Sequence, residues 1–104
     1  MSWYFWRYVT WIREVIILYD YYKELLTEKQ QAYFEGYYFE NESLQELSEE
    51  YDVSRNAIHK QVKETEEKLQ EYEHKLGLYH KRIKILKLIE NLDEKTKEQI
   101  ETLI

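Results

Sequence analysis

Ser43-Leu44-Gln45-Glu46-Leu47-Ser48-Glu49-Glu50-Tyr51-Asp52-Val53-Ser54-Arg55-Asn56-Ala57-Ile58-His59-Lys60-Gln61-Val62 reads as two short helices joined by a tight turn. Ser43 with Glu46 has the form of a capping box, and Ser54 supplies a second cap eleven positions on. Two helices crossing at a fixed angle need apolar residues at set places, and Leu44, Leu47, Val53, Ile58 and Val62 provide them. Val53 fills the space beneath the turn, and Ala57 lets the second helix start close to the first. Two positions depart from the pattern. Asp52 stands where such a turn usually has Gly, and Asp tolerates a positive φ less well. Ser48 replaces a small apolar residue.

Working outward, the same cap-and-breaker logic divides the rest of the chain. Arg13 to Leu26 carries Ile16, Ile17, Tyr19, Tyr22, Leu25 and Leu26 at helical spacing. Thr27-Glu28-Lys29-Gln30 is a further capping box, opening a helix that presents Tyr33, Phe34, Tyr37 and Tyr38. Gly36 lies inside that helix at a cost of about 1 kcal/mol relative to Ala, and a close neighbour is one reason for it. Glu40-Asn41-Glu42 is the loop that follows. From Ser54 no breaker appears until Gly77, a residue of the right type to end a helix. Along that long helix Ile58, Val62, Thr65, Leu69, Tyr72 and Leu76 alternate by four and three. This is a heptad seam with one polar member, Thr65. Tyr79 to Leu92 and a segment from Asp93 to Ile104 complete the helices.

The expected fold class is therefore all-α: a helix-turn-helix domain with flanking helices and a long helix able to form a dimer seam. Residues 1–104 read as one all-helical domain. Within it lie an aromatic N-terminal extension at 1–12, the helix-turn-helix unit and long helix at 27–76, and C-terminal helices at 79–104. The chain has no Pro, two Gly and no Cys. Few breakers favour long helices over a sheet, and the lack of Cys excludes disulfides, thiolate zinc sites and a Cys nucleophile. A net charge of −6 argues against general polyanion binding.

Trp3, Tyr4, Phe5, Trp6, Tyr8, Val9, Trp11 and Ile12 make a strongly aromatic opening. Arg7, Arg13, Glu14 and Asp20 interrupt any apolar run of the ~20 residues a membrane span requires. No small-residue cleavage site follows a clean apolar run, so a cytoplasmic location is the default expectation. The rings are expected first to pack on the helical core. A poorly ordered extension left by an overlong start of translation, or a membrane-interface contact, is the alternative.

The residues that carry function are the outward positions of the second short helix. Ser54 leaves the first amides of that helix facing outward, where a phosphate can be held. Arg55, Asn56, His59, Lys60 and Lys63 follow on the exposed side. Arg reads guanine and Asn reads adenine in the major groove, while Lys mainly contacts phosphate. Residues 54–63 hold three basic and no acidic side chains, a locally positive surface in an acidic protein. The predicted partner is nucleic acid, DNA ahead of RNA. The bland reading of the same segment is two amphipathic helices that only build a core.

Leu25-Leu26-Thr27-Glu28-Lys29-Gln30 followed by Tyr33-Phe34-Glu35-Gly36-Tyr37-Tyr38 resembles the opening of the YlxM family. Ser43 to Leu47, Val53 to Ile58, Thr65-Glu66, Lys68-Leu69 and Tyr72 to Leu78 continue the likeness, over roughly residues 13–78. The resemblance implies a fold akin to sigma-factor region 4 and a regulatory role. It also implies a link to the signal recognition particle, beside whose genes such proteins are typically encoded. Gly36, Asp52 and the acidic Glu64 depart from the family pattern.

The rival reading is a protein-interaction module, a helical adaptor. Glu64 to Glu73 carries five acids and one Lys, which would repel a nucleic-acid backbone running alongside. The seam residues Ile58, Val62, Leu69, Tyr72 and Leu76 predict pairing with a second helix, in a homodimer ahead of a different partner. Packing on the chain's own last two helices is the other use for them. Lys75, Lys81, Arg82, Lys84 and Lys87 form a second basic run, on an amphipathic helix that suits RNA, anionic lipid, an acidic partner or plain solvent. No phosphate loop or Ser-His-Asp set points to an enzyme. No cofactor or metal is expected, because His59, His74 and His80 lack ligand spacing.

Overall fold

The computed structural model describes residues 3–104, with the side chains from Tyr4 onward. Helix boundaries follow the local capping chemistry closely. The order is α1 (Trp3–Tyr22), a single 3-10 turn (Lys23–Leu25), α2 (Glu28–Tyr38), α3 (Leu44–Tyr51), α4 (Arg55–Leu76), α5 (Leu78–Leu88) and α6 (Glu94–Leu103). No strand occurs among the described residues.

Both expected capping boxes form. The Gln30 amide donates to Thr27 Oγ1 at 3.1 Å, and Gln30 Oε1 accepts from the Thr27 N–H at 3.1 Å. Ser43 and Glu46 exchange the same pair of bonds, at 3.0 and 3.2 Å. Ser54 Oγ accepts from the Ala57 amide, and Asp93 Oδ2 accepts from the Thr96 amide. Gly77, at φ 61°, ends α4 in the left-handed conformation that suits glycine.

Two buried clusters organise the packing. Val15, Leu18, Tyr19, Tyr22, Leu26, Phe34 and Leu69 form one, with the Tyr19 and Phe34 rings stacked at 4.4 Å. Tyr33, Leu47, Ile58 and Val62 form the other, under the helix-turn-helix. Tyr38 touches both. The long α4 runs past α1, α2 and α3, and this contact takes up most of the expected dimer seam within the chain. Ile58, Thr65 and Leu69 are fully buried and Val62 nearly so, within the chain itself. Tyr72 is half-buried and donates its hydroxyl to the Leu25 carbonyl, leaving Leu76 as the exposed seam residue. A heptad stripe serves neighbouring helices of one chain as well as a partner's helix, and here α1 to α3 occupy it rather than α5 and α6.

The aromatic opening also differs from expectation. From Trp3 on it is helical and continuous with the helix expected to begin at Arg13, so it is not an unstructured extension. Met1 and Ser2, the first residues of that opening, lie outside the described residues. Tyr4, Phe5, Trp6, Tyr8 and Val9 are exposed rather than packed on the core, whereas Trp11 reaches the first cluster. The same helix ends at Tyr22, four residues before Leu26, whose amide donates to the Lys23 carbonyl and closes the 3-10 turn, while Gln31 Nε2 donates to the carbonyls of Lys23 and Leu26.

α5 ends at Leu88, earlier than Leu92, and α6 buries none of its residues. The radius of gyration is 17.1 Å, with extents of 53 × 36 × 24 Å. A compact chain of this length would have about 13 Å. The excess reflects the length of α1 and the lightly packed C-terminal helices. No described helix is long and apolar enough to cross a membrane.

Candidate nucleic-acid interface

The turn between α3 and α4 is built from three local devices. Asp52 adopts φ 54°, ψ 48°, the left-handed conformation the sequence pattern demands of this position. The Val53 amide donates to the Ser48 carbonyl at 3.1 Å. Ser48 Oγ donates in turn to the Val53 carbonyl at 2.6 Å. The hydroxyl at position 48 thus clamps the turn from the other side. Gly36 explains itself in the same region: a Cβ there would lie 2.7 Å from Leu47 Cδ2, so α3 owes its close seat on α2 to the missing side chain.

With the turn fixed, α4 buries one side and exposes the other. Ile58, Val62, Thr65 and Leu69 face the core. Arg55, Asn56, His59, Lys60 and Lys63 are all exposed, within an arc of roughly 140° at ~100° per residue. Leu44, Ser54, Arg55, Asn56 and His59 line a concavity of about 440 Å³ at the start of the helix. The six residues singled out from sequence are therefore contiguous on one face, with Ser54 engaged in its cap.

Beyond Lys63 the acidic stretch is partly a set of internal acceptors. Glu66 Oε1 accepts the Tyr38 hydroxyl. Glu73 Oε1 accepts the Tyr22 hydroxyl at 2.5 Å. The Glu73 carboxylate also accepts the amides of Tyr79 and His80 at 3.2 and 3.0 Å, capping α5 in place of the side chain Gly77 lacks. Burial, and then the Glu73 bond, push the Tyr22 phenol up to about 12. Burial followed by the Glu66 bond raises Tyr38 as well. Glu71 pairs with Lys75 across one turn at 2.7 Å. Of the second basic run, Arg82 donates to the Ile104 carbonyl, while Lys81, Lys84 and Lys87 are exposed.

Residues 11–104 match the model of the UPF0122 family, described as "Putative helix-turn-helix protein, YlxM / p13 like". The chain belongs to this family. A UPF0122 protein of Listeria monocytogenes serotype 4b is 44% identical over 97 residues, covering 84% of this chain and 88% of its own. One from Oceanobacillus iheyensis is 51% identical over 75 residues, covering 72% and 71%. A third, from Halalkalibacterium halodurans, is 45% identical over 82 residues, covering 79% and 75%. The UPF0122 match begins at Trp11, leaving residues 3–10 of α1 outside it. This end of α1 supplies what the sequence pattern missed: Tyr8, ahead of the match, and Trp11, its first residue, come beside Tyr37, His59 and Lys63. Periodicity carries no signal for this, because it depends on where α1 crosses α4.

Proposed function

We propose that the protein binds nucleic acid through the exposed face of α4 and acts as a regulator. Arg55 and Asn56 would address base edges, with His59, Lys60, Lys63 and the amides behind Ser54 holding phosphates. The observation that supports this most is the segregation on α4. Over residues 55–63 five polar or basic side chains without an acid occupy the outer arc, while Ile58, Val62, Thr65 and Leu69 face inward. DNA is favoured over RNA, because the major groove of B-DNA admits an α-helix whereas that of A-form RNA is too narrow. The rival reading as an interaction module loses most of its surface, since Ile58, Val62, Thr65 and Leu69 are core. Membership of the family supports a regulatory role. The YlxM resemblance alone supports a cytoplasmic connection with the signal recognition particle.

Salt dependence tests this reading. Three or four phosphate contacts should make log affinity fall with log salt at a slope of about −3, at roughly −0.9 per contact. Replacing Arg55 and Lys60 together with Ala should weaken binding to random duplex DNA and reduce the slope, with helical content unchanged. A complex whose affinity ignores salt, or a double variant that binds as well as the parent, would count against the assignment.

A further inference from the structure

A second hollow, of about 200 Å³, opens beside the α4 face, between the start of α1, the end of α2 and the first turns of α4. Tyr8, Trp11, Tyr37, Tyr38, His59 and Lys63 contribute to its walls. It shares Leu44 and His59 with the concavity at Ser54, so the two adjoin. Tyr8 is 61% exposed and Tyr37 37%, large aromatic surfaces left at the rim. Tyr38 holds the Tyr37 ring edge-on at 5.0 Å, and its own hydroxyl is committed to Glu66, the acid of the lining. The hollow is smaller than the roughly 300–1,000 Å³ that encloses a drug-sized ligand. It suits one planar ring presented on a chain that passes outside.

We propose that Tyr8 and Tyr37, flanked by His59 and Lys63, form a stacking site for an unpaired nucleobase of the strand bound along α4. Aromatic rings set beside cationic side chains are the physical requirement for holding single-stranded nucleic acid: the rings stack on base faces while the cations follow the phosphates. A paired base cannot reach such a site, so the hollow discriminates between a blunt duplex and DNA with an overhang or a bulge. Tyr8 lies before the segment matched by the family model. The inference rests on the proposed nucleic-acid role of α4 and extends it from groove contact to capture of an extruded base.

The test uses fluorescein-labelled random-sequence DNA in two forms, a blunt duplex and the same duplex with a single-stranded overhang, the overhang carrying 2-aminopurine. The full-length protein should prefer the overhang form by about tenfold and change the 2-aminopurine emission through stacking. Tyr8→Ala and Tyr37→Ala should each erase most of that preference and leave blunt-duplex affinity unchanged, while Tyr8→Phe retains it. Tyr8 is exposed, so circular dichroism should report an intact fold. Equal affinity of the parent for both forms, or equal loss on both forms in the Ala variants, overturns the stacking site alone. Failure of the parent to bind either form at low salt overturns the nucleic-acid reading of α4, and this site with it.

Discussion

Asp52 sits in the left-handed region at φ 54°, where an L residue pays about 1–2 kcal/mol that glycine avoids. Glycine loses more chain entropy on folding, which offsets part of that gain. Asp52→Gly should therefore stabilise the protein by about 0.5–1 kcal/mol and raise Tm by a few degrees. No rise in a thermal scan would mean that the Asp side chain repays its own strain. Gly36 poses the opposite problem. Ala would gain about 1 kcal/mol of helix propensity, but its methyl would meet a fully buried Leu47 at 2.7 Å. Overpacking costs about 1–3 kcal/mol, so Gly36→Ala should lower the urea midpoint by a net of about 1 kcal/mol. A higher midpoint would show that Leu47 swings aside freely. Both positions stand out in the sequence as departures from the pattern, but only one sign was legible there. Asp52 is read from its place in the turn, whereas the Leu47 contact of Gly36 depends on how α2 meets α3.

At the scale of the element, α4 joins two roles that its sequence presents together. Its outer arc holds the candidate interface and its inner arc is core to three other helices. Leu69 is fully buried in the cluster with α1 and α2, so Leu69→Ala should cost about 2–5 kcal/mol. Because most of the seam is internal, Tm of both parent and variant should be independent of protein concentration. A seam shared between two chains would make Tm rise with concentration. The heptad pattern itself could not distinguish these outcomes, since it states that a stripe is buried and not by which helix. The acids Glu66 and Glu73 were equally ambiguous. Each lies on α4 as a surface charge by composition, yet each receives a phenol from another helix, 28 and 51 residues away.

For the whole molecule, those phenols make stability sensitive to high pH. Tyr19, Tyr22 and Tyr38 are all raised above their ordinary value near 10, each chiefly by burial. Above pH 10 the unfolded chain releases these protons while the folded chain keeps them, to about 12 for Tyr22. The contribution is complete below pH 10 and is lost as pH rises from there through the folded values. Urea midpoints should thus fall steeply between pH 10 and 12, and Tyr22→Phe should flatten part of that fall. A midpoint constant across the interval would contradict the linkage. The sequence by itself determined where most helices begin and end. Thr27, Ser43, Ser54, Gly77 and Asp93 act through bonds or backbone angles within a few residues, so no distant partner is needed to form them. It also determined which residues of α4 face outward, because helical phase is local. Tertiary structure alone decided that most of the seam is core, that the first aromatics of α1 stand in solvent, and that Tyr8 meets His59 and Lys63 across a hollow. Each of these depends on how helices far apart in the chain cross, and that is settled by packing volume and the burial of paired groups rather than by any local bond.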